Sequence, residues 1–183
     1  MNQRNLAKYA AVAMSKKIIL ALSILIAASA QTAMAETQTL KATIDGNVFE
    51  SDDSGIDYLI PIKGTFNLGA STKGSAAYPP PKTPIDRLSI ICRGFEGRPI
   101  KFVEKDFGTH GCEVQFSKGV SKVPFGDPMA LYESRWGQNN MIEITSVKGK
   151  VIEGKFHFEM KEKKPKSGAM VMEGTFKAED RQK

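Results

Sequence analysis

Apolar and polar residues alternate with period two along most of the chain after residue 36. The run at 149–161 is the clearest, with Phe156, Phe158 and Met160 separated by charged or polar residues. Because successive side chains of a strand point to opposite faces, this pattern indicates half-buried strands. Glycine, proline, asparagine and aspartate interrupt the pattern at short intervals. The sequence therefore predicts an all-β fold, a single antiparallel β-sandwich or small β-barrel of about eight or nine strands.

The individual elements follow from the same pattern. Asp45-Gly46 is a typical two-residue hairpin turn, and Gly149 marks another turn before the strand at 149–161. Residues 127–134 fit at most one short helix, since Asp127 and Pro128 match a helix start. The stretch 68–84 has no periodicity and is predicted to be a long loop. The predicted strands span 39–45, 47–50, 56–67, 86–93, 99–107, 112–117, 140–148, 149–161 and 168–179.

A glycine followed two residues later by phenylalanine occurs three times, at 64–66, 154–156 and 174–176. Glycine within a strand permits a bulge or a close backbone approach, and the phenylalanine fills the space beside it. We expect a strand bend at each of these positions.

Strand motifs at both ends of the domain carry a resemblance. The segments Thr43-Ile-Asp-Gly-Asn-Val-Phe49, Val151-Ile-Glu-Gly-Lys-Phe156 and Met172-Glu-Gly-Thr-Phe176 resemble the ends of small exported bacterial β-domain proteins of unknown function. The resemblance covers these motifs alone. It implies an all-β fold and implies no activity.

The first 35 residues have the composition of a signal peptide. Lys16 and Lys17 precede an apolar stretch at 18–30, and Ala33-Met-Ala35 provides small residues before Glu36. Thirteen helical residues rise only about 20 Å, which is too short to span a bilayer. We expect Met1–Ala35, or a shorter leader starting at Met14, to be removed, leaving 36–183 as a single β domain without a membrane span. The predicted location is the periplasm or the exterior.

Charge excludes one class of partner. The chain has a formal net charge of +6, but the first 35 residues hold four of its 26 basic residues and none of its 20 acidic ones. The remaining domain therefore carries only +2. The lysine-rich turn at 161–166 has too few cations and no aromatic residues for a nucleic-acid surface, so we expect no nucleic-acid partner.

The two cysteines lie in separate predicted strands. Cys92 shares a strand face with Leu88 and Ile90, and Cys112 shares another with Val114. Cysteines that face the core in an oxidising compartment commonly pair, which predicts a Cys92–Cys112 disulfide. The alternative is two buried free thiols that pack as small apolar groups.

Signals for catalysis and for metal binding are weak. His110 and His157 are the only histidines, and neither has the ligand spacing of a metal site. No Gly-x-Ser-x-Gly motif is present. The cluster of Asp52, Asp53 and Asp57 fits an acidic turn rather than a calcium loop. We expect no metal, no cofactor and no catalytic residues, with a hydrolase that lacks a recognisable motif as the remote alternative.

Two segments have the composition of binding surfaces. Tyr78 precedes three prolines in the long loop, where a stiff backbone lowers the entropy of presenting it. Arg135 and Trp136 lie side by side before Asn139, and tryptophan and arginine are frequent in interface hot spots. The alternatives are an unengaged loop tip and a Trp136 that plugs the core.

The sequence thus favours an exported, non-enzymatic β domain that binds a protein partner or a small envelope ligand through Tyr78, Arg135, Trp136 and Asn139. A structural or inhibitory protein that docks on a larger envelope assembly, through a sheet edge or the 161–166 turn, is the alternative. The sequence leaves the oligomeric state open.

Overall fold

The computed structural model of the chain describes residues 37–60, 63–79, 81–108, 110–120, 127–134, 138–163 and 168–182. These residues all belong to the compact unit Glu36–Lys183. The predicted signal peptide, Arg135, Trp136 and most of the lysine-rich turn lie outside the described residues. Among the helices of the described part, none is long and apolar enough to cross a membrane.

Eleven strands and two single-turn 3-10 helices make up the described domain. The strands are β1 (Thr39–Ile44), β2 (Asn47–Ser51), β3 (Ile56–Leu59), β4 (Gly64–Ser71), β5 (Ile85–Phe95), β6 (Ile100–Phe102), β7 (Cys112–Val120), β8 (Ala130–Glu133), β9 (Met141–Lys148), β10 (Val151–Glu162) and β11 (Ala169–Glu179). The helical turns are Asp53–Gly55 and Glu104–Asp106.

Nine of the strands form a nearly closed antiparallel barrel in the order β2-β1-β11-β10-β8-β7-β5-β4-β3. The remaining two form a branch, in which β9 pairs with β10 and β6 pairs with β9. The all-β prediction is confirmed, and the barrel is the form that it takes. Closure comes from β3, whose Tyr58 bridges Asp180 just after β11. We call this junction the seam.

Side chains hold the seam together where the strand ladder is short. Gln38, only 3% exposed, donates from Nε2 to the carbonyls of Ile56 and Asp53 and accepts from the backbone of Glu179. The Arg181 guanidinium donates two hydrogen bonds to the Asp53 carboxylate, at 2.7 and 2.8 Å. These hydrogen bonds from Arg181 are the main reason that the pKa of Asp53 lies below its usual value. The two ends of the domain are therefore fastened to one another.

Inward-facing aromatic and aliphatic side chains fill the barrel. The rings of Phe156 and Phe158 stack with centroids 4.8 Å apart, and those of Phe66 and Phe95 meet edge to face at 5.2 Å. Phe66, Phe158 and Met160 are fully buried. A small barrel filled in this way has a packed core instead of a lumen.

The strand register is irregular at the Gly-x-Phe motifs 64–66 and 154–156, as expected, whereas the register through 174–176 is continuous. Phe66, Phe156 and Phe176 are all buried. The register shifts between Gly64 and Thr65 and again between Glu153 and Gly154. At Gly174 a Cβ atom would overlap backbone of β1, so that glycine permits close strand approach.

The predicted helix at 127–134 is wrong, because residues 130–133 form β8. This segment pairs with β7 on one side and with β10 on the other. Backbone hydrogen bonds to two strand partners stabilise the extended conformation more than the helix-start residues Asp127 and Pro128 stabilise a helix. The sequence contains no local signal of these long-range partners.

Three other predicted boundaries change. The loop begins at residue 72 rather than 68. Leu68 and Ala70 face the core from β4, and the small residues Gly69, Ala70 and Ser71 conceal the alternation. The predicted strand at 56–67 is two strands, β3 and β4, which form an antiparallel pair. The predicted strand at 99–107 is the short β6 followed by a 3-10 turn.

Candidate binding surfaces

The Tyr78 loop, residues 72–84, joins β4 to β5 and is fastened at its base. The amide of Lys73 donates to the Glu50 carbonyl at 2.7 Å, and the amide of Gly74 donates to Asp52 Oδ2 at 2.8 Å. Thr72 exchanges hydrogen bonds with the backbone of Asp86 at the other end of the loop. The first half of the loop is thereby held against β2 and β5.

Asp52 is the central acceptor of this attachment. Its carboxylate accepts hydrogen bonds from the Ser54 hydroxyl at 2.8 Å and from the amides of Gly74 and Gly55. These bonds, chiefly the one from Ser54, hold the pKa of Asp52 below its usual value. The acidic cluster at 52–57 therefore caps a 3-10 turn and anchors the loop, as the acidic-turn interpretation expects.

Tyr78 projects from this anchored base into solvent. Its side chain is 98% exposed, which exceeds the exposure of every other large apolar residue in the described part of the chain. Pro79 and Pro81 follow closely, and both restrict the backbone. The loop thus combines a fixed base with an uncovered aromatic side chain.

Asn139 is the described member of the second predicted surface. It is exposed, adopts a positive φ of 56°, and donates from Nδ2 to Glu159 Oε1 at 3.0 Å. The Tyr78 loop is fastened to β2 and β5, whereas Asn139 is attached to β10. The described contacts do not join the two predicted surfaces.

A buried polar cluster, which we call the fork cluster, lies beside Asn139 and consists of Ser134 and Asn140. Strand β10 pairs with β9 up to His157 and with β8 from Lys161 onward, so its ladder is interrupted between them. Asn140 fills this interruption, because its Oδ1 accepts from the Glu159 amide at 3.1 Å and its Nδ2 donates to the Ser134 carbonyl at 3.1 Å.

Ser134 extends the neighbouring ladder in the same way. Its hydroxyl accepts from the Val114 amide at 3.0 Å, one position beyond the last β7–β8 pair. Ser134 and Asn140 are only 2% and 1% exposed. The hydrogen bond from Asn140 Nδ2 to the Ser134 carbonyl joins the two residues directly. The sequence analysis names Asn139 as a contact residue and does not identify the buried role of its neighbour Asn140.

The histidines occupy unrelated places. His110 lines a pocket beside β5 and β6. His157 lies on the outer face of β10, with Nε2 3.9 Å from Glu159 Oε1 and Nδ1 3.7 Å from Glu173 Oε2. Within the described ranges, no group of three or more histidine, cysteine, aspartate or glutamate side chains is arranged to hold a metal ion.

The disulfide is confirmed. Cys92 and Cys112 are directly opposite each other in the β5–β7 pair and are joined by an S–S bond. Both are fully buried. The bond therefore ties two adjacent strands inside the core.

Comparison with known proteins identifies no relative. No protein-family model, curated protein or solved structure matches the chain.

Proposed function

We propose that this is an exported, non-catalytic β-barrel domain that binds a protein partner through the Tyr78 loop. The observation that carries the proposal is the 98% exposure of Tyr78 on a loop whose base is fixed by Glu50 and Asp52. A loop whose base is already fixed loses less backbone conformational entropy on binding than an unattached one. Tyrosine also contributes strongly to interface energies.

Export is supported by the signal-peptide pattern and by the Cys92–Cys112 disulfide, which suits an oxidising compartment. A small ligand inside the barrel is disfavoured, because the Phe66, Phe156 and Phe158 rings occupy the interior. The hydrolase alternative also gains no support. The buried carboxylate of Glu133 lies near Lys163 rather than beside His110, and the Ser134 hydroxyl is engaged with the β7 backbone.

Site-specific photocrosslinking tests the proposal. A photoreactive phenylalanine derivative is placed at Tyr78 in the full chain, expressed in its exporting cells, and compared with the same group at Met129. Met129 is 73% exposed, so it controls for exposure alone. We expect a discrete protein adduct from position 78 and none from position 129.

The identified partner is then titrated with purified Tyr78→Ala protein. Since Tyr78 contacts solvent almost entirely, its removal should leave the melting temperature unchanged while it weakens binding by about tenfold or more. Identical adducts from both positions, or undiminished binding by Tyr78→Ala, would contradict the proposal.

A further inference from the structure

A separate pocket of ≈ 620 Å³ lies between the end of β5, β6 and the turn that follows β6. Phe102 and Phe107 provide apolar surface within it, and Arg93, Lys105, Asp106 and His110 provide charged or ionisable groups. None of these residues belongs to the Tyr78 loop. The pocket therefore has to be considered independently of the proposed function.

Two glycines leave space in this pocket beside its aromatic residues. Gly94 and Gly108 line it with positive φ values of 88° and 123°, a backbone conformation that other residues adopt at a cost. A Cβ atom at Gly94 would lie 3.8 Å from the Phe102 ring. Side chains at these positions would narrow the pocket, so its opening is built into the backbone.

The carboxylates around the pocket are already engaged. Asp106 Oδ2 accepts from the Val103 amide at 2.8 Å. Glu104 is directed away, since its Oε2 accepts from the Asn140 amide at 2.6 Å. Glu113 forms an ion pair with Arg93 at 3.3 Å.

Lys105 and His110 are the lining side chains available to a ligand. Lys105 and His110 are exposed, and neither forms an ion pair with any residue in the described part of the chain. An incoming anion would meet the Lys105 ammonium without having to displace a protein carboxylate from it. Hydrogen bonds between charged groups are among the stronger polar contacts available to a ligand.

We propose that this pocket binds a small organic anion whose acidic group meets Lys105 and His110 and whose apolar part covers Phe102 and Phe107. The chemical class is an apolar chain or ring that bears a carboxylate or phosphate. The lining joins two aromatic residues to charged and ionisable ones, and a ligand with an apolar part and an acidic group would match both kinds of surface.

The test titrates the mature protein with three probes, namely octanoate, the uncharged octanol and inorganic phosphate. Binding of each probe is measured from changes in the amide chemical shifts. We expect saturable shifts around the pocket with octanoate, and at least about tenfold weaker binding of octanol and of phosphate. Equal binding of octanol would overturn the anionic part of the proposal. Equal binding of phosphate would overturn the apolar part.

Two lysine variants localise the site. Lys105→Ala should weaken octanoate about five- to tenfold, whereas Lys101→Ala, an exposed lysine on β6 opposite Glu143, should bind like the unmodified protein. Both side chains are exposed, so both variants should fold normally. Equal affinity of the two variants, or shifts confined to another surface, would refute the site.

Discussion

Replacing Asn140 by alanine should destabilise the barrel far more than any change at the neighbouring Asn139. The alanine leaves the Glu159 amide without its acceptor and the Ser134 carbonyl without its donor. Asn140 is 1% exposed, so water reaches these groups poorly. An unsatisfied buried group costs about 1–3 kcal/mol, so the two groups give a total loss of about 2–6 kcal/mol. For a domain of this size, that corresponds to a drop in Tm of roughly 4–24 °C.

Urea unfolding followed by circular dichroism measures this loss. Asn139→Gly is the matched control, because glycine tolerates the positive φ of 56° and the change removes only an exposed hydrogen bond. We expect the control to change the unfolding free energy by no more than about 1 kcal/mol. A loss below about 0.5 kcal/mol for Asn140→Ala, with an unchanged m-value, would refute the role assigned to the fork cluster.

Three further predictions concern stability. Gly174→Ala forces a Cβ atom against the β1 backbone and should lower the unfolding free energy, measured in urea, by at least about 1–3 kcal/mol. In the control Gly168→Ala, the added Cβ atom meets open space, so the unfolding free energy should change by no more than about 0.5 kcal/mol. Equal effects of the two substitutions would contradict the close approach of β1 to Gly174. The Cys92–Cys112 bond links residues that are 20 positions apart in the chain, so its reduction should lower the unfolding free energy by about 3 kcal/mol. Urea unfolding with and without reductant measures this loss, and unchanged stability would contradict the prediction. The hydrogen bonds from Arg181 hold the pKa of Asp53 below its usual value, so the ionised carboxylate stabilises the fold above that usual value, and this stabilisation is lost as the pH falls through the folded pKa. The stability difference between the unmodified protein and Asp53→Asn should therefore shrink from pH 7 to pH 3, and a difference independent of pH would contradict this.

Local patterns in the sequence predict the strands whose partners are close in the chain. The strands β9, β10 and β11 begin and end within two residues of the predicted boundaries, and β10 contains the alternating Phe156, Phe158 and Met160. The hairpin turn at Asp45 and Gly46 is also correct, because both residues adopt the positive φ that this turn requires. These features depend on short-range geometry that the sequence encodes directly.

Long-range features escape the sequence pattern. Residues 130–133 form the strand β8 because β7 and β10 pair with it on its two sides. The local sequence pattern instead predicts a short helix at 127–134. The role of Asn140 arises from an interruption between two strand partners of β10, which no local motif reports. The pocket at Lys105 likewise results from the approach of β5 to the turn after β6. The sequence shows no ligand spacing around His110 and gives no sign that Phe102 and Lys105 line the same pocket.

The fastening of the Tyr78 loop determines how its function can be tested. Deleting residues 68–84 would remove half of β4, including the core residues Leu68 and Ala70. It would also remove Gly74, one of the donors to Asp52. A loss of partner binding after such a deletion would therefore report damage to the barrel as readily as loss of a contact. A substitution at Tyr78 removes only solvent-exposed surface, so its effect on binding can be attributed to the loop itself.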